Sequence, residues 1–215
     1  MQLLLCAATG FEIRPTIEFI NKYNIVDCTV LITGVGLPST TYHLTRRVLG
    51  HRPDLLLQAG VAGSLDPGLE LASVVAVRSE TFGDIGVMEN KQFVSVFDLG
   101  LVGRDADPWR QGRLTNHSEL LQATGLDIVD GVSVNEISTD PGRIEWYRKS
   151  LEVSVESMEG AALHYVGLME KIPFLQLRSL SNFVGVRDKS KWLMKEAIQQ
   201  LNKEVTNCLI NFLEL

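Results

Sequence analysis

The chain alternates short apolar segments with amphipathic ones, and this alternation predicts its fold. Apolar residues with a period of about 3.6 residues predict a helix over 192–212, and PSTTYHLTRRVLG (38–50) predicts another, with Pro38 in its first turn and Gly50 at its end. Strands alternating with helices favour an α/β fold, a mixed or mostly parallel central β-sheet flanked by helices. Seven short apolar runs bounded by glycine, proline or charge are typical of buried strands, namely LLLCAA (3–8), CTVLITG (28–34), DLLLQAG (54–60), ASVVAVR (72–78), IVDGVSV (128–134), LEVSVE (151–156) and IPFLQLRSLS (172–181).

Turn-like segments follow several of the predicted strands. Glu12 comes soon after the first apolar run, and four glycine-containing segments follow later runs: GVGLPST (34–40), AGVAGS (59–64), SMEG (157–160) and SNFVG (181–185). A single glycine cluster usually marks an ordinary turn, so each segment alone is weak evidence. Ligands of α/β sheets bind where the carboxyl ends of strands meet loops and helix N-termini. The five segments together therefore predict a ligand site at that edge.

Composition and charge restrict the partners. The 215 residues predict one domain over 1–215, and the net charge of −6 without a lysine/arginine block disfavours nucleic acid as a partner. The first apolar run lacks a preceding basic region and is too short for a signal peptide or a membrane span, which predicts a cytoplasmic protein without a membrane partner. The scattered Cys6, Cys28 and Cys208, with four histidines that lack ligand spacing, predict neither a disulfide framework nor a metal site.

The glycine-rich segments do not predict a nucleotide cofactor. No lysine follows either of them as in a Walker loop, and GVGLPS lacks the third glycine of a dinucleotide-binding fingerprint. Around AGVAGS, Gln58 and Val61 stand where a charged or hydroxylated residue would help to hold a phosphate. We therefore expect Gly60 and Val61 to pack closely against a neutral ligand.

The chain resembles the purine nucleoside phosphorylase and nucleosidase superfamily over essentially its whole length. Within it, VESMEG and the asparagine of SNFVGVRD are most similar to the futalosine hydrolases of an alternative menaquinone pathway. The resemblance implies a three-layer fold, a small-molecule purine nucleoside as partner, no cofactor, and a homo-oligomer in which a neighbour can complete the pocket. It rests on motifs in order: Glu12, GVGLPST, PDLLLQAGVAGSLDPGLELASVVAV (53–77), VESMEGAAL (155–163) and LRSLSNFVG (177–185).

The resemblance also implies roles for residues around the sugar. Glu159 would accept hydrogen bonds from ribose hydroxyls, with Met158 packed against the sugar, although a first-turn acid can instead complement the dipole of its helix. Glu12 would activate the attacking water; the alternative is a solvated turn residue paired with Arg14. Arg178 would orient Glu12 or its water, or else form a structural salt bridge.

Asn182 is the most informative departure from the adenine-releasing nucleosidases, which carry aspartate at the matching position. Asparagine cannot protonate a leaving base, but it can donate its amide hydrogens to the carbonyl oxygen on carbon 6 and to the adjacent ring nitrogen. A 5′-substituted 6-oxopurine nucleoside, with futalosine as the implied case, is therefore the expected substrate. We expect Ser181 to support Asn182, and the alternative is an Asx turn after a strand.

Water is the expected nucleophile, because the family's phosphorylases carry an arginine and a serine where this chain has Gln58 and Val61. Ser157 stands where adenine nucleosidases have a further glutamate. Glu156 is one position away from that place, and strand alternation turns its side chain away from the side of Val155, so we expect it to be structural. The resemblance leaves two other readings open, an adenine-releasing methylthioadenosine or aminofutalosine nucleosidase and a non-catalytic nucleoside-binding protein.

Two further segments are expected near the ligand. Phe183 and residues 133–139 are expected to line the base pocket. The stretch 79–118, with FGDIG (82–86) and Trp109, predicts loops and a short hairpin that cover the 5′ substituent.

Overall fold

The computed structural model describes residues 1–90 and 92–214, and all seven predicted strands are present among them. The helices are α1 (Arg14–Lys22), α2 (Leu37–Gly50), α3 (Leu120–Ala123), α4 (Pro141–Lys149), α5 (Gly160–Met169) and α6 (Met194–Leu213), with a 3-10 turn at Lys189–Lys191. The strands are β1 (Leu3–Ala7), β2 (Cys28–Ile32), β3 (Leu55–Ser64), β4 (Val74–Phe82), β5 (Gly86–Glu89), β6 (Gln92–Ser95), β7 (Leu114–Thr115), β8 (Asp127–Ser133), β9 (Val155–Ser157) and β10 (Phe174–Phe183).

The main sheet is mixed and closes on itself. Its order is β2-β1-β3-β10-β4-β8-β9, and β9 pairs back with β3, while β7 adds to β4. The β10–β4 and β3–β9 pairs are antiparallel, and the other pairs along the ring and its β1–β2 extension are parallel. Closure is possible because β3 is ten residues long, so that its first half pairs with β1 and its last two residues pair with β9 on the same edge.

The segment AGVAGS (59–64) is part of strand β3, and its prediction as a turn is wrong. Both edges of this segment are paired, with β10 on one side and with β9 at its end. A Cβ atom at Gly60 would overlap the guanidinium of Arg178, and one at Gly63 would lie 2.8 Å from Val184 Cγ2. Glycine here permits the close approach of neighbouring side chains and does not mark a change of chain direction.

Helices cover both faces of the sheet, which confirms the expected layered α/β fold. Successive residues of β1 alternate between two cores, as the pleat of a strand requires. Leu5 packs in the core that contains Leu201 and Val205 of α6, whereas Leu4 packs in the core that contains Leu44 of α2 and Leu163 of α5. The predicted helices over 38–50 and 192–212 are thus confirmed as α2 and α6, one on each face.

The stretch 79–118 contains the expected short hairpin, formed by β5 and β6. Trp109 is buried beside it, with its ring 4.9 Å from the rings of both Phe82 and Phe97, and this aromatic cluster packs against Ala161 and Ala162 of α5. Among residues 1–90 and 92–214, no helix combines the length and the apolar character needed to cross a membrane.

Candidate active site

A cavity of about 320 Å³ lies at the carboxyl ends of β1, β3, β9 and β10. Its volume falls in the range of small-molecule sites. It brings together seven of the residues expected to contact substrate: Glu12, Val61, Ser157, Met158, Glu159, Ser181 and Asn182. The lining also contains residues that sequence reasoning did not single out, among them Thr9, Phe11, Val35, Arg187, Trp192 and Met194.

Glu12 is buried at one side of this cavity, in the turn between β1 and α1. Its Oε2 accepts hydrogen bonds from Thr9 N (3.0 Å) and Thr9 Oγ1 (2.8 Å), and its Oε1 accepts one from Val61 N (3.1 Å). The side chain is only 8 % exposed, and Arg14 points to solvent. The alternative of a solvated turn residue is therefore wrong. Glu12 is a fixed carboxylate with lone pairs left for a ligand.

The C-terminal helix fixes the backbone at Glu12 through a buried asparagine. Asn202 Nδ2 donates to the carbonyl oxygen of Glu12 (2.8 Å), while its Oδ1 accepts from Thr16 N (3.0 Å) and Thr16 Oγ1 (2.7 Å). A buried amide that satisfies partners on another helix restricts their relative position. Sequence reasoning missed this residue, although a polar side chain beside the apolar stripe of Leu201 and Val205 is a usable signal.

Glu159 begins helix α5 but does not cap it. Its Oε1 accepts from the backbone N of Gly36 (3.0 Å), in the turn before α2, and its Oε2 lies 3.5 Å from Arg178 Nη1. The first amide groups of α5 are satisfied by other side chains, since Gly160 N donates to Ser157 Oγ (3.2 Å) and Ala161 N to Ser133 Oγ (2.8 Å). These two serines take the capping role and leave the carboxylate of Glu159 facing the cavity.

Arg178 lies behind the cavity, 1 % exposed. Besides its ion pair with Glu159, it donates from Nη2 to Gln58 Oε1 (2.9 Å). Gly60 does not line the cavity. It leaves room for Arg178 and Glu12, because a Cβ there would overlap the guanidinium and lie 3.1 Å from Glu12 Oε1. Of the two expectations for Arg178, the geometry matches the structural ion pair, and the carboxylate that it holds is Glu159.

Asn182 lies at the other end of the cavity, just after a β-bulge in β10. Its Oδ1 accepts from Ser181 Oγ (2.8 Å), and its Nδ2 donates to the carbonyl oxygen of Phe183 (2.9 Å). One of the two amide hydrogens is thereby used, so Asn182 has one left to donate to a ligand instead of the expected two. The side chain of Phe183, which was expected to line the base pocket, does not line the cavity. Phe183 contributes only this carbonyl oxygen, and the next residue, Val184, lines the cavity.

The side chain of Glu156 faces the cavity, which is the opposite of its expected structural placement. Val155, before it, packs in the interior of the closed sheet, so alternation turns Glu156 to the ligand side. Its Oε1 accepts from Ser138 N (3.1 Å), and burial raises the pKa of its carboxyl. From residues 133–139, the side chain that lines the cavity is that of Ile137.

A second buried carboxyl, Glu80 of β4, lies beneath the first turn of α5. It accepts from Gln176 Nε2 (2.9 Å) and Ser133 Oγ (3.0 Å), and burial raises its pKa to about 7. A Cβ at Gly160 would overlap its Oε1, so only glycine fits there at the start of α5. Nearby His164 is also fully buried, and desolvation lowers its pKa to about 4. Glu80 thus holds the hydroxyl of Ser133, the serine that caps α5. Sequence reasoning missed Glu80.

Among residues 1–90 and 92–214, no group of three or more histidine, cysteine, aspartate or glutamate side chains is placed to hold a metal ion.

The family model of the phosphorylase superfamily matches residues 12–214. A curated relative, the futalosine hydrolase of Thermus thermophilus, is 30 % identical over 185 residues, which cover 83 % of this chain and 80 % of the relative.

Two solved structures show the same fold. The futalosine hydrolase of Helicobacter pylori superposes with a TM-score of 0.80 at 20 % identity, covering 98 % of each chain. A mutant 5′-methylthioadenosine nucleosidase of the same organism, with 5′-methylthioadenosine in its active site, gives a TM-score of 0.80 at 18 % identity, also with 98 % of each chain covered.

The raised pKa of Glu80 predicts a measurable pH dependence of stability. The unfolded chain releases this proton near pH 4.5 and the folded protein near pH 7, so the folded state holds the extra proton between those values. The contribution of Glu80 therefore becomes less favourable as pH rises through this window, by on the order of 3 kcal/mol. In Glu80→Gln, the stability relative to the wild type should rise from pH 4.5 to 7 and stay level above.

Urea unfolding of both proteins across this pH range measures the difference. The titration of His164 occurs in both proteins and cancels in the comparison. Glu70→Gln, which alters an exposed glutamate, is the control and should show no such trend. A difference that is independent of pH would mean that Glu80 is ionised throughout.

Proposed function

The chain belongs to the phosphorylase superfamily, and we propose that it is a nucleosidase that hydrolyses the N-glycosidic bond of futalosine to hypoxanthine and dehypoxanthine futalosine. The observation that carries the proposal is the pair of fixed carboxylates, Glu12 and Glu159, that share one small cavity with the amide of Asn182. The 30 % identical relative is a futalosine hydrolase. The reaction would belong to menaquinone synthesis by the futalosine route, and a cytoplasmic location stays a prediction.

Water is the nucleophile that this cavity favours over phosphate. Gln58, at the position of the phosphorylases' arginine, is almost fully buried and accepts from Arg178 instead of facing a ligand. The amide of Val61, in the serine's position, already donates to Glu12. A phosphate in this position would meet the carboxylate of Glu12, and like charges at close range repel each other strongly in a buried site.

Each polar group then has a task in the hydrolysis. Glu12 takes a proton from the attacking water as the bond from its oxygen to the anomeric carbon forms and the bond to the base nitrogen breaks. Glu159 accepts hydrogen bonds from the ribose hydroxyls, and its negative charge stabilises the positive charge that develops on the sugar. The base leaves as an anion with the electron pair of the broken bond, and Asn182 donates a hydrogen bond to it. It becomes hypoxanthine by taking a proton from solvent, to which Glu12 returns the proton of the attacking water.

The main alternative is an adenine-releasing nucleosidase, since solved structures of such enzymes share the fold. Asn182 argues against it. An amide has no proton to transfer, whereas the aspartate of the adenine-releasing enzymes has one. In addition, Ser181 occupies Asn182 Oδ1, whereas Nδ2 keeps one N–H that suits an acceptor such as a carbonyl oxygen.

The proposed function predicts phosphate-independent release of hypoxanthine from futalosine and a large loss in Glu12→Gln. The variant keeps the shape of the side chain but removes the proton acceptor, so kcat should fall by about 10²-fold or more with little change in KM. Chromatographic identification of the free base, with and without phosphate, measures both. Glu18→Gln on the exposed face of α1 is the control. Phosphate-dependent turnover, or near-normal kcat in Glu12→Gln, would contradict the assignment.

Asn182→Asp should shift the preference for the base. A carboxyl at this position can give a proton to an adenine ring nitrogen, whereas its ionised form repels a 6-oxo group. We expect kcat/KM for futalosine to fall roughly tenfold or more, the size of one hydrogen bond to a charged group, and turnover of 5′-methylthioadenosine to rise. The ratio of the two kcat/KM values is the readout. An unchanged ratio would remove Asn182 from base selection.

We further propose that the protein is a homo-oligomer whose copies meet at the face of α2 and α5. A wide apolar cavity of about 890 Å³ lies there, and Tyr42 and Leu49 on α2 are 59 % and 69 % exposed. Large exposed apolar patches mark interaction sites. Val35, exposed next to this face, also lines the catalytic cavity, so a second copy would border the substrate.

Leu49→Asp should dissociate the oligomer, because a buried unpaired carboxylate opposes association. Sedimentation of the wild type should give a mass above that of one chain, and the variant should sediment as a monomer at micromolar concentration. Tyr23→Asp, at an exposed position just after α1 on the other layer, should leave the mass unchanged. A monomeric wild type, or a variant that keeps the oligomer, would contradict the proposed interface.

A further inference from the structure

Asn182, Gly63 and Glu156 form one row across three strands at the base end of the cavity. Gly63 of β3 is in register with Asn182 of β10 on one side and with Glu156 of β9 on the other. Neighbouring strands lie about 4.8 Å apart, so the Cα atoms of the two outer residues are separated by roughly 10 Å. An amide and a carboxyl thus flank the same short gap.

Both outer side chains emerge on the cavity side of the sheet. Leu180 and Val155 pack in the interior of the closed sheet, and the bulge between Leu180 and Asn182 reverses the face on which Asn182 would otherwise lie. Both Asn182 and Glu156 line the cavity. The bulge therefore places the amide opposite the carboxyl.

Gly63 keeps the space between them open. It contributes no side chain to the row, and a Cβ there would lie 3.7 Å from Asn182 Nδ2 and 2.8 Å from Val184 Cγ2. A larger residue would occupy the gap in which the edge of a flat ring can lie. The row has a donor at one end, an acceptor at the other, and no side chain at its centre.

The carboxyl of Glu156 is only half satisfied by the protein. Its Oε1 accepts from Ser138 N (3.1 Å), whereas its Oε2 is buried and has no hydrogen-bond partner within the part of the chain that the structure describes. A buried carboxyl oxygen without a donor is costly, so a ligand that supplies an N–H there gains affinity. Burial and the nearby charge of Asp84 raise the pKa of Glu156, so a ligand N–H that donates to this carboxyl would also stabilise its ionised form.

We propose that Glu156 determines specificity for the 6-oxopurine base by accepting a hydrogen bond from its ring N–H next to the carbonyl, while Asn182 donates to that carbonyl. This inference rests on the proposed function and deepens it. A 6-aminopurine presents the reverse pattern on the same edge, with a ring lone pair towards Glu156 and an amino group beside it. The lone pair would then oppose the carboxylate. The pair Asn182 and Glu156 therefore favours one purine edge and rejects the other.

Glu156→Gln tests the contact with little change in shape. The ratio of kcat/KM for futalosine to that for its 6-amino counterpart should fall about tenfold or more, because a charged acceptor becomes a neutral amide that can present either an oxygen or an N–H. Glu156→Ala, which removes both the acceptor for the ring N–H and the charge that opposes the ring lone pair, should also lower the ratio. Asp130→Asn, a partly buried carboxylate on β8 that pairs with Arg78 outside the cavity, is the matched control and should leave the ratio unchanged.

A second readout separates recognition from a structural role. Hypoxanthine and 1-methylhypoxanthine, which lacks the ring N–H, are compared as inhibitors of the reaction. In Glu156→Gln the inhibition constant of hypoxanthine should rise about tenfold while that of 1-methylhypoxanthine stays constant. A purely structural role would move both constants together, and that result would overturn the inference.

The outcomes also separate the two proposals. If the wild type releases no base from futalosine, the proposed function fails. The other outcome is that the wild type releases hypoxanthine while Glu156→Gln leaves unchanged both the ratio of the kcat/KM values and the ratio of the two inhibition constants. In that case the function stands and the role of Glu156 is rejected.

Discussion

The pairing of β3 with strands on both of its edges is the constraint on which the site depends. β10 and β9 reach the last residues of β3 from opposite sides, so Gly63 lies between them and, with Val61 on the same face, forms a floor of the cavity. The turn after β1 then brings Glu12 onto this floor, and the end of β9 brings Glu159. Small residues in β3 are necessary for this convergence, because Arg178 and Glu12 lie against Gly60 and Asn182 and Val184 lie against Gly63.

The distribution of charge around this floor suits the proposed reaction. Glu12, Glu156 and Glu159 all line the cavity, while Arg178 lies behind it, buried against Glu159 and Gln58. A buried ion pair contributes little net stability because of desolvation, but it fixes the position of the carboxylate. A cavity lined by carboxylates stabilises a sugar that becomes positive and disfavours an anionic nucleophile. In the proposed function, Gln58 in place of the phosphorylases' arginine changes the nucleophile without a change of fold.

Much of this architecture could be predicted from the sequence, since the apolar runs and the period of α6 reflect burial directly. The AGVAGS segment could not, because glycine is a turn signal by frequency, while its reason here is the guanidinium of Arg178, more than a hundred residues away. The resemblance implied ribose binding by Glu159, but the residues alone left the helix-start alternative open: whether an acid there caps the helix depends on Ser133, which lies on another strand. Glu80 and Asn202 were missed although each is a polar residue inside an apolar pattern, which is the signal that was available.

The two ends of the cavity differ in how the protein holds its polar groups, and this difference matches the tasks proposed for them. At the end proposed to hold the sugar, the hydrogen-bond partners of Glu12 and Glu159 among the described residues are backbone amides, a hydroxyl and a guanidinium, which hold both carboxylates in fixed positions. At the base end, Asn182 keeps one N–H and Glu156 keeps one carboxyl oxygen unused by the described residues. Stabilisation of the transition state requires pre-set charge, whereas selection of a base requires unsatisfied groups that only the correct edge can satisfy. A single sheet closure supplies both, because it brings the ends of strands that are distant in sequence to opposite sides of Gly63.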